Sequence, residues 1–131
     1  MKNNKCYSFI LLILISISGF AQEQLQSNES KRVLEIAKKS TEMMKNGLNL
    51  TDTQTQKVSE INLDFSKKMV TLFDKPESMF RKRTDFKKEA KDRKAKLKQV
   101  FTDKQMKLFE DEVESKLRKA MRKIMKKTPK D

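Results

Sequence analysis

The residues with most chemistry in this chain are two hydroxyl–amide pairs and a series of guanidinium groups. Thr51 and Gln54 stand three apart, and so do Thr102 and Gln105. A threonine hydroxyl at a helix N-cap accepts from the third backbone N–H of the helix, and a glutamine at that third position reaches back to the threonine N–H. Each pair therefore reads as a capping box. Arg81, Arg83 and Arg93 are interleaved with Met79, Phe80, Phe86 and Leu97. Cations set among flexible apolar side chains can steer acidic partners by charge and hold varied apolar ones by contact. Covalent and proton-transfer chemistry has no such basis. The chain has no His and no Trp, and its one Cys (Cys6) and one Tyr (Tyr7) lie at the N-terminus. Imidazole bases, Ser-His-Asp triads, Cys nucleophiles and N/S zinc sites are excluded beyond that point. Two glycines cannot build a phosphate-binding loop. No catalytic role, no metal and no cofactor are expected.

The elements that must carry these groups read as four helices. Ser27 or Asn28 can cap a first helix that runs to about Asn46, with Val33, Ile36, Ala37, Met43 and Met44 near helical spacing. Ser40 interrupts that stripe, and Gly47 is the natural residue just past the end. Thr51 opens the second helix, with Asp52 in its first turn, where the positive end of the helix dipole favours an acid. Its stripe is Val58, Ile61, Phe65, Met69 and Leu72, one face of an α-helix. Pro76 ends this helix or opens the next. The third helix is expected from about Glu77 to Phe101. Its seam is Met79, Arg83, Phe86, Ala90, Arg93, Leu97 and Val100, a heptad period. Two arginines on such a seam need acids from a partner helix, or else the seam is a partly open surface, because a buried unpaired charge is costly. Thr102 opens the fourth helix, with Phe101 and Met106 placed for a hydrophobic staple and a stripe of Met106, Phe109, Val113, Leu117, Ala120 and Ile124.

Charge is unevenly distributed. The chain has 31 basic and 18 acidic residues, a net of +13. Residues 22–74 balance, residues 75–98 and 116–131 each carry +7, and residues 99–115 carry −3. The excess sits on the third helix and the end of the fourth. It is either a solvated face that aids solubility or an attractor for acidic partners, and the interleaved Met79, Phe80, Phe86 and Leu97 favour the second.

The first 21 residues read as a secretory signal peptide. Lys2 and Lys5 precede an aliphatic run from Phe9 to Ile17, and Ser18-Gly19-Phe20-Ala21 places small residues at the −3 and −1 positions of a cleavage after Ala21. The run is nearer a dozen apolar residues than the roughly 20 of a membrane span, which favours cleavage over an anchor. The expected organisation is a signal peptide over 1–21 and a single helical domain over 22–131. Of the 110 residues after Ala21 only 34 are apolar. A core that thin points to self-association or an elongated shape.

The two boxes also carry a family resemblance. Leu50-Thr51-Asp52-Thr53-Gln54 reads L-T-x-x-Q, and Phe101-Thr102-Asp103-Lys104-Gln105 repeats it with Phe for Leu. A small, exported, basic helical chain with two such motifs about fifty residues apart resembles the Spy/CpxP (LTxxQ) family of periplasmic proteins, over most of residues 30–125. The resemblance implies a four-helix, cradle-like antiparallel homodimer. It also implies either an ATP-independent chaperone holding unfolding clients on a basic, apolar-flecked face or a partner protein of the envelope stress response. Leu50, Thr51, Gln54, Phe101, Thr102 and Gln105 carry over as structural elements. The absence of His departs from the metal-sensing members.

Two functional readings follow. The first is a periplasmic chaperone whose client surface comprises Met79, Phe80, Arg81, Arg83, Phe86, Arg93 and Leu97, with unfolded envelope proteins as partners. For Phe86 and Leu97 a plain core or dimer-seam role is equally compatible. The second is a regulatory or structural partner that docks on a sensor domain or on anionic envelope components. The charge would also suit nucleic acid, but export removes that target.

Overall fold

The computed structural model describes residues 7–127, with side chains from residue 28 onward. The expected signal segment, residues 1–21, lies outside the residues whose side chains are described. The chain divides into two compact units, residues 1–31 and 32–131. The described residues form helices and no strand: α1 (Tyr7–Leu48), α2 (Asp52–Asp74), α3 (Met79–Lys98) and α4, residues 103–126. The fold is all-α, as the periodicities predict. Among the described residues no helix is long and apolar enough to cross a membrane.

Within the second unit, α1 continues past the predicted end at Asn46 to Leu48. Its buried stripe is Val33, Ile36, Ala37, Ser40, Met44 and Leu48. Ser40 therefore stays in register and is itself buried; it does not interrupt the face. The terminating residue is Asn49, which takes the left-handed conformation at φ 49°. Asn tolerates that region better than most side chains. The Leu50 N–H then donates to the Lys45 carbonyl at 3.2 Å, and Leu50 packs in the same cluster as Met44. This is a Schellman ending with its hydrophobic contact. Gly47, expected to be the end signal, is needed for space: a Cβ there would lie 2.9 Å from Val113 Cγ2 on α4.

Helix α2 buries Val58, Asn62, Phe65, Ser66, Met69 and Val70. That face is wider than the predicted stripe, because neighbours cover it from more than one side, and Ile61 and Leu72 are only half-buried. It ends at Asp74. Lys75, which precedes Pro76, is extended at φ −69° and ψ 140°, since proline disfavours helical geometry in the residue before it. Helix α3 begins later than expected, at Met79. Ser78 is its N-cap, accepting from the Arg81 N–H at 3.4 Å, so Pro76 sits in the connection and not in the first turn. Helix α3 also stops earlier, at Lys98, and leaves Phe101 free to serve the next helix.

Helix α4 runs as Asp103–Leu108, a π-helical turn Phe109–Val113 and Glu114–Lys126. Phe109, Val113 and Leu117 follow one another at steps of four, which drift around an ordinary helix. The wider π turn takes up the extra residue and keeps all three buried. One core cluster joins Met44, Leu48 and Leu50 to Val58, Leu97, Phe101, Phe109, Val113 and Leu117. A second joins Val33, Ile36, Val70 and Ile124. All four helices contribute to the first.

Candidate functional site: a basic groove between α3 and α4

Both capping boxes form. Thr51 Oγ1 accepts from the Gln54 N–H at 3.1 Å, and Gln54 Oε1 accepts from the Thr51 N–H at 3.1 Å. The corresponding distances at Thr102 and Gln105 are 3.2 and 3.0 Å. The two boxes also meet. Gln54 Nε2 donates to Gln105 Oε1 at 2.8 Å, and Gln105 Nε2 donates to Gln54 Oε1 at 3.1 Å. The remaining amide protons reach the chain ahead of the other motif, Gln54 to the Val100 carbonyl at 3.0 Å and Gln105 to that of Leu48 at 3.3 Å. Each glutamine thus uses both protons and both acceptor positions. Leu50 and Phe101, the residues that open the two motifs, are buried on either side of this lock, and Phe101 packs on Phe109 with ring centroids 5.9 Å apart. The lock ties the start of α2 to the start of α4.

Away from the lock, α3 and α4 flank a groove floored by α2. Its inner part, about 310 Å³, is lined by Phe65, Phe86, Leu97, Phe109, Leu117 and Met121 among its apolar residues. Its outer part, about 530 Å³, is lined by Met69, Phe73, Met79, Met121 and Met125. The two parts share Phe86, Arg118 and Met121. Nine cations line the whole: Lys82, Arg83, Lys87, Lys91, Arg93, Lys94, Arg118, Arg122 and Lys126. Glu114 is the one carboxylate among the described lining residues. Methionine and phenylalanine supply apolar contact that adapts to shape, and the cations supply a field for acidic partners.

The α3 residues predicted to form the client surface are divided by the fold. Met79 and Phe80 are 65% and 82% exposed, and Arg81 and Arg83 are also exposed. Phe86 is half-buried, with its ring 6.5 Å from that of Phe65. Met79, Arg83 and Phe86 line the groove, whereas Phe80 and Arg81 do not. Leu97 is fully buried and belongs to the core. Arg93 corrects the expectation of an open position: it is only 8% exposed. No acid from a neighbouring helix bonds to it either. Its guanidinium carbon lies 4.5 Å from the centroid of the Phe65 ring, a cation–π contact, and its Nε–H donates to Asn62 Oδ1 at 3.1 Å. Asn62 is fully buried and donates in turn to Thr41 Oγ1 at 3.0 Å. This polar thread crosses from α1 through α2 to α3. Burial pulls the Arg93 guanidinium down to about 10, with the charge of Glu114 opposing that shift, so it stays charged at neutral pH.

Ion pairs hold the walls. Lys94 on α3 reaches Glu110 at 2.8 Å and Glu114 at 3.6 Å on α4. The hydrogen bond to Glu110 is the chief reason the Lys94 ammonium is held above its usual range. On the other side of α3, Lys96 reaches Asp64 at 3.0 Å, and Lys68 reaches Glu89 at 3.1 Å. Residues that the sequence left unassigned to any site include Arg118, Met121, Arg122 and Met125. Two cations and two methionines, each pair four apart, share one helical face next to the groove, and that spacing was visible in the basic end of α4. Asn62 had no such signal.

Residues 21–109 match a family described as a domain of unknown function, DUF4890. The chain belongs to the DUF4890 family. The match takes in both Thr-x-x-Gln boxes and all of α3, and it ends at Phe109, so the rest of the α4 wall of the groove lies beyond it. No curated protein and no solved structure matches this DUF4890 chain.

Proposed function

We propose that this DUF4890 protein is an ATP-independent chaperone that binds unfolding polypeptides in the α3–α4 groove, with no covalent chemistry of its own. In this reading it works in the periplasm after export, as a homodimer, on unfolded or partly folded envelope proteins. The observation that carries the reading is the composition of the groove, where a floor of phenylalanine and methionine lies under nine cations and one carboxylate. Charge brings partners in quickly and the soft apolar floor accepts many sequences. The exposed Met79 and Phe80 at the start of α3 extend apolar contact beyond the groove. The resemblance to the Spy/CpxP proteins supports the same reading.

The test is suppression of client aggregation, followed by light scattering, with a mass measurement on the same sample. Arg83→Gln combined with Arg118→Gln and Arg122→Gln removes three exposed rim cations. The parent is expected to protect several unrelated unfolding proteins, and the triple variant to stay folded and lose protection at low salt. Undiminished protection by the variant, or binding to a single folded partner in place of many unfolded ones, would overturn the proposal in favour of a regulatory docking protein.

A further inference from the structure

Arg93 contains an anomaly that the scaffold does not resolve. Its Nε is spent on Asn62 and its face on Phe65, yet no protein group accepts from Nη2, which is buried. Buried donors in folded proteins are almost always paired, and a charged one left unpaired is more costly than most. Glu114 is the nearest candidate within the inner groove, but it is engaged by Lys94, which is itself held by Glu110. A methionine or leucine would leave no buried donor here, though it would give up the bond to Asn62 Oδ1. The chain instead fixes a guanidinium at the inner groove through a chain of hydrogen bonds, Thr41 to Asn62 to Arg93.

We infer that the inner groove holds a carboxylate receptor, built on Arg93, that takes an acidic side chain of a bound polypeptide segment whose neighbouring residues are large and apolar. The inference rests on the groove being the client site and specifies what the client must offer. The carboxylate would pair with the free Nη2, and the flanking side chains would lie against Phe86, Leu117 and Met121. Nη2 is buried in the unliganded groove, so lining side chains must move aside to admit the ligand. The lining favours this occupant on charge as well, since one carboxylate faces nine cations. A rim of lysines attracts any anion, whereas a buried guanidinium held in one orientation selects a planar acceptor.

The probes are two short peptides of Leu, Phe, Ser and Gly with blocked termini, one with a central Glu and the other with Gln in its place. Fluorescence anisotropy on the full chain, at low salt and at about 1 M salt, gives their affinities. At about 1 M the screening length falls to about 3 Å, which silences the exposed rim but not a buried pair. The Glu peptide is expected to bind about tenfold tighter than the Gln peptide at both salt concentrations, the difference a charged hydrogen bond makes. The advantage should vanish in Arg93→Met, which keeps an unbranched apolar stem against Phe65. The Nε–H resonance of Arg93 should move with the Glu peptide and not with the Gln peptide. That readout and the peptide comparison need no variant, so they stand even if Arg93→Met fails to fold. An advantage that disappears at high salt, or survives in Arg93→Met, would overturn the receptor and leave only the rim. If neither peptide binds, the reading of the groove as a client site fails with it.

Discussion

Replacing Gln54 by alanine tests whether the two capping boxes act as one unit. The Gln54 amide makes four hydrogen bonds: one from the Thr51 N–H, one to the Val100 carbonyl and two reciprocal ones with Gln105. Three of these are partly shielded from water, and each is worth about 1 kcal/mol net. The bond to the Thr51 N–H is exposed and contributes less. The threonine hydroxyl keeps its own bond to the residue 54 N–H, so the N-cap itself survives. Gln54→Ala should therefore cost about 3 kcal/mol. Gln105→Ala should cost a similar amount, with the Leu48 carbonyl in place of Val100. The two reciprocal bonds are lost in either single variant and can be lost only once. The double variant should thus cost about 2 kcal/mol less than the two singles taken together. Urea unfolding followed by far-ultraviolet circular dichroism on the four chains yields this coupling. The single losses also lower Tm by roughly 4–8 °C per kcal/mol in a domain of this size. Two independent capping boxes would show no coupling, so an interaction below about 0.5 kcal/mol, the ordinary scatter of additivity, would refute the lock.

Three other outcomes follow from the geometry. Arg93→Ala should destabilise by about 2–3 kcal/mol in urea unfolding, because it removes the stem packed on Phe65 and strands the buried Asn62 oxygen; Arg83→Ala, at an exposed site, should stay within about 0.5 kcal/mol of the parent. Gly47→Ala should be destabilising by about 1–3 kcal/mol although alanine is the better helix former, since its Cβ meets Val113 at 2.9 Å; Val113→Ala in the same chain should recover part of that loss. The hydrogen bond from Lys96 holds the Asp64 carboxyl below its usual value, against a smaller opposing effect of burial. A carboxyl depressed by folding adds stability above its unfolded pKa, and that stability is lost as pH falls through the folded value. Carbon-detected NMR should accordingly find Asp64 titrating below an ordinary aspartate, and Lys96→Met should move it back up.

What could be read from the sequence was whatever depends on residues close together along the chain. A capping box is closed by groups three residues apart, so Thr51, Gln54, Thr102 and Gln105 announced two helix starts, and both formed. Apolar periodicity within α2 and α4 likewise identified most of the buried stripes, because a helix face is set by spacing alone. Boundaries were legible where the controlling residue acts locally, as Pro76 does on Lys75, and less so where Ser78 and Asn49 displaced the expected ends of α3 and α1.

The tertiary structure decided everything that depends on which helix lies opposite. Gln54 and Gln105 are 51 residues apart in sequence, and no periodicity says that their amides meet. Arg83 and Arg93 lie on the same seam of the same helix with the same chemistry. One is exposed and the other is 8% exposed, because Asn62 and Phe65 on α2 receive only the second. Gly47 looked like a helix terminator and proved to be a gap into which Val113 fits. The groove has the same origin. Its cations lie on α3 and α4 and its methionines on α2, α3 and α4, but a binding surface requires that α3 and α4 leave their facing sides apart over α2. That arrangement is a property of long-range packing, where burial, charge and space are shared among distant residues, and local pattern does not encode it.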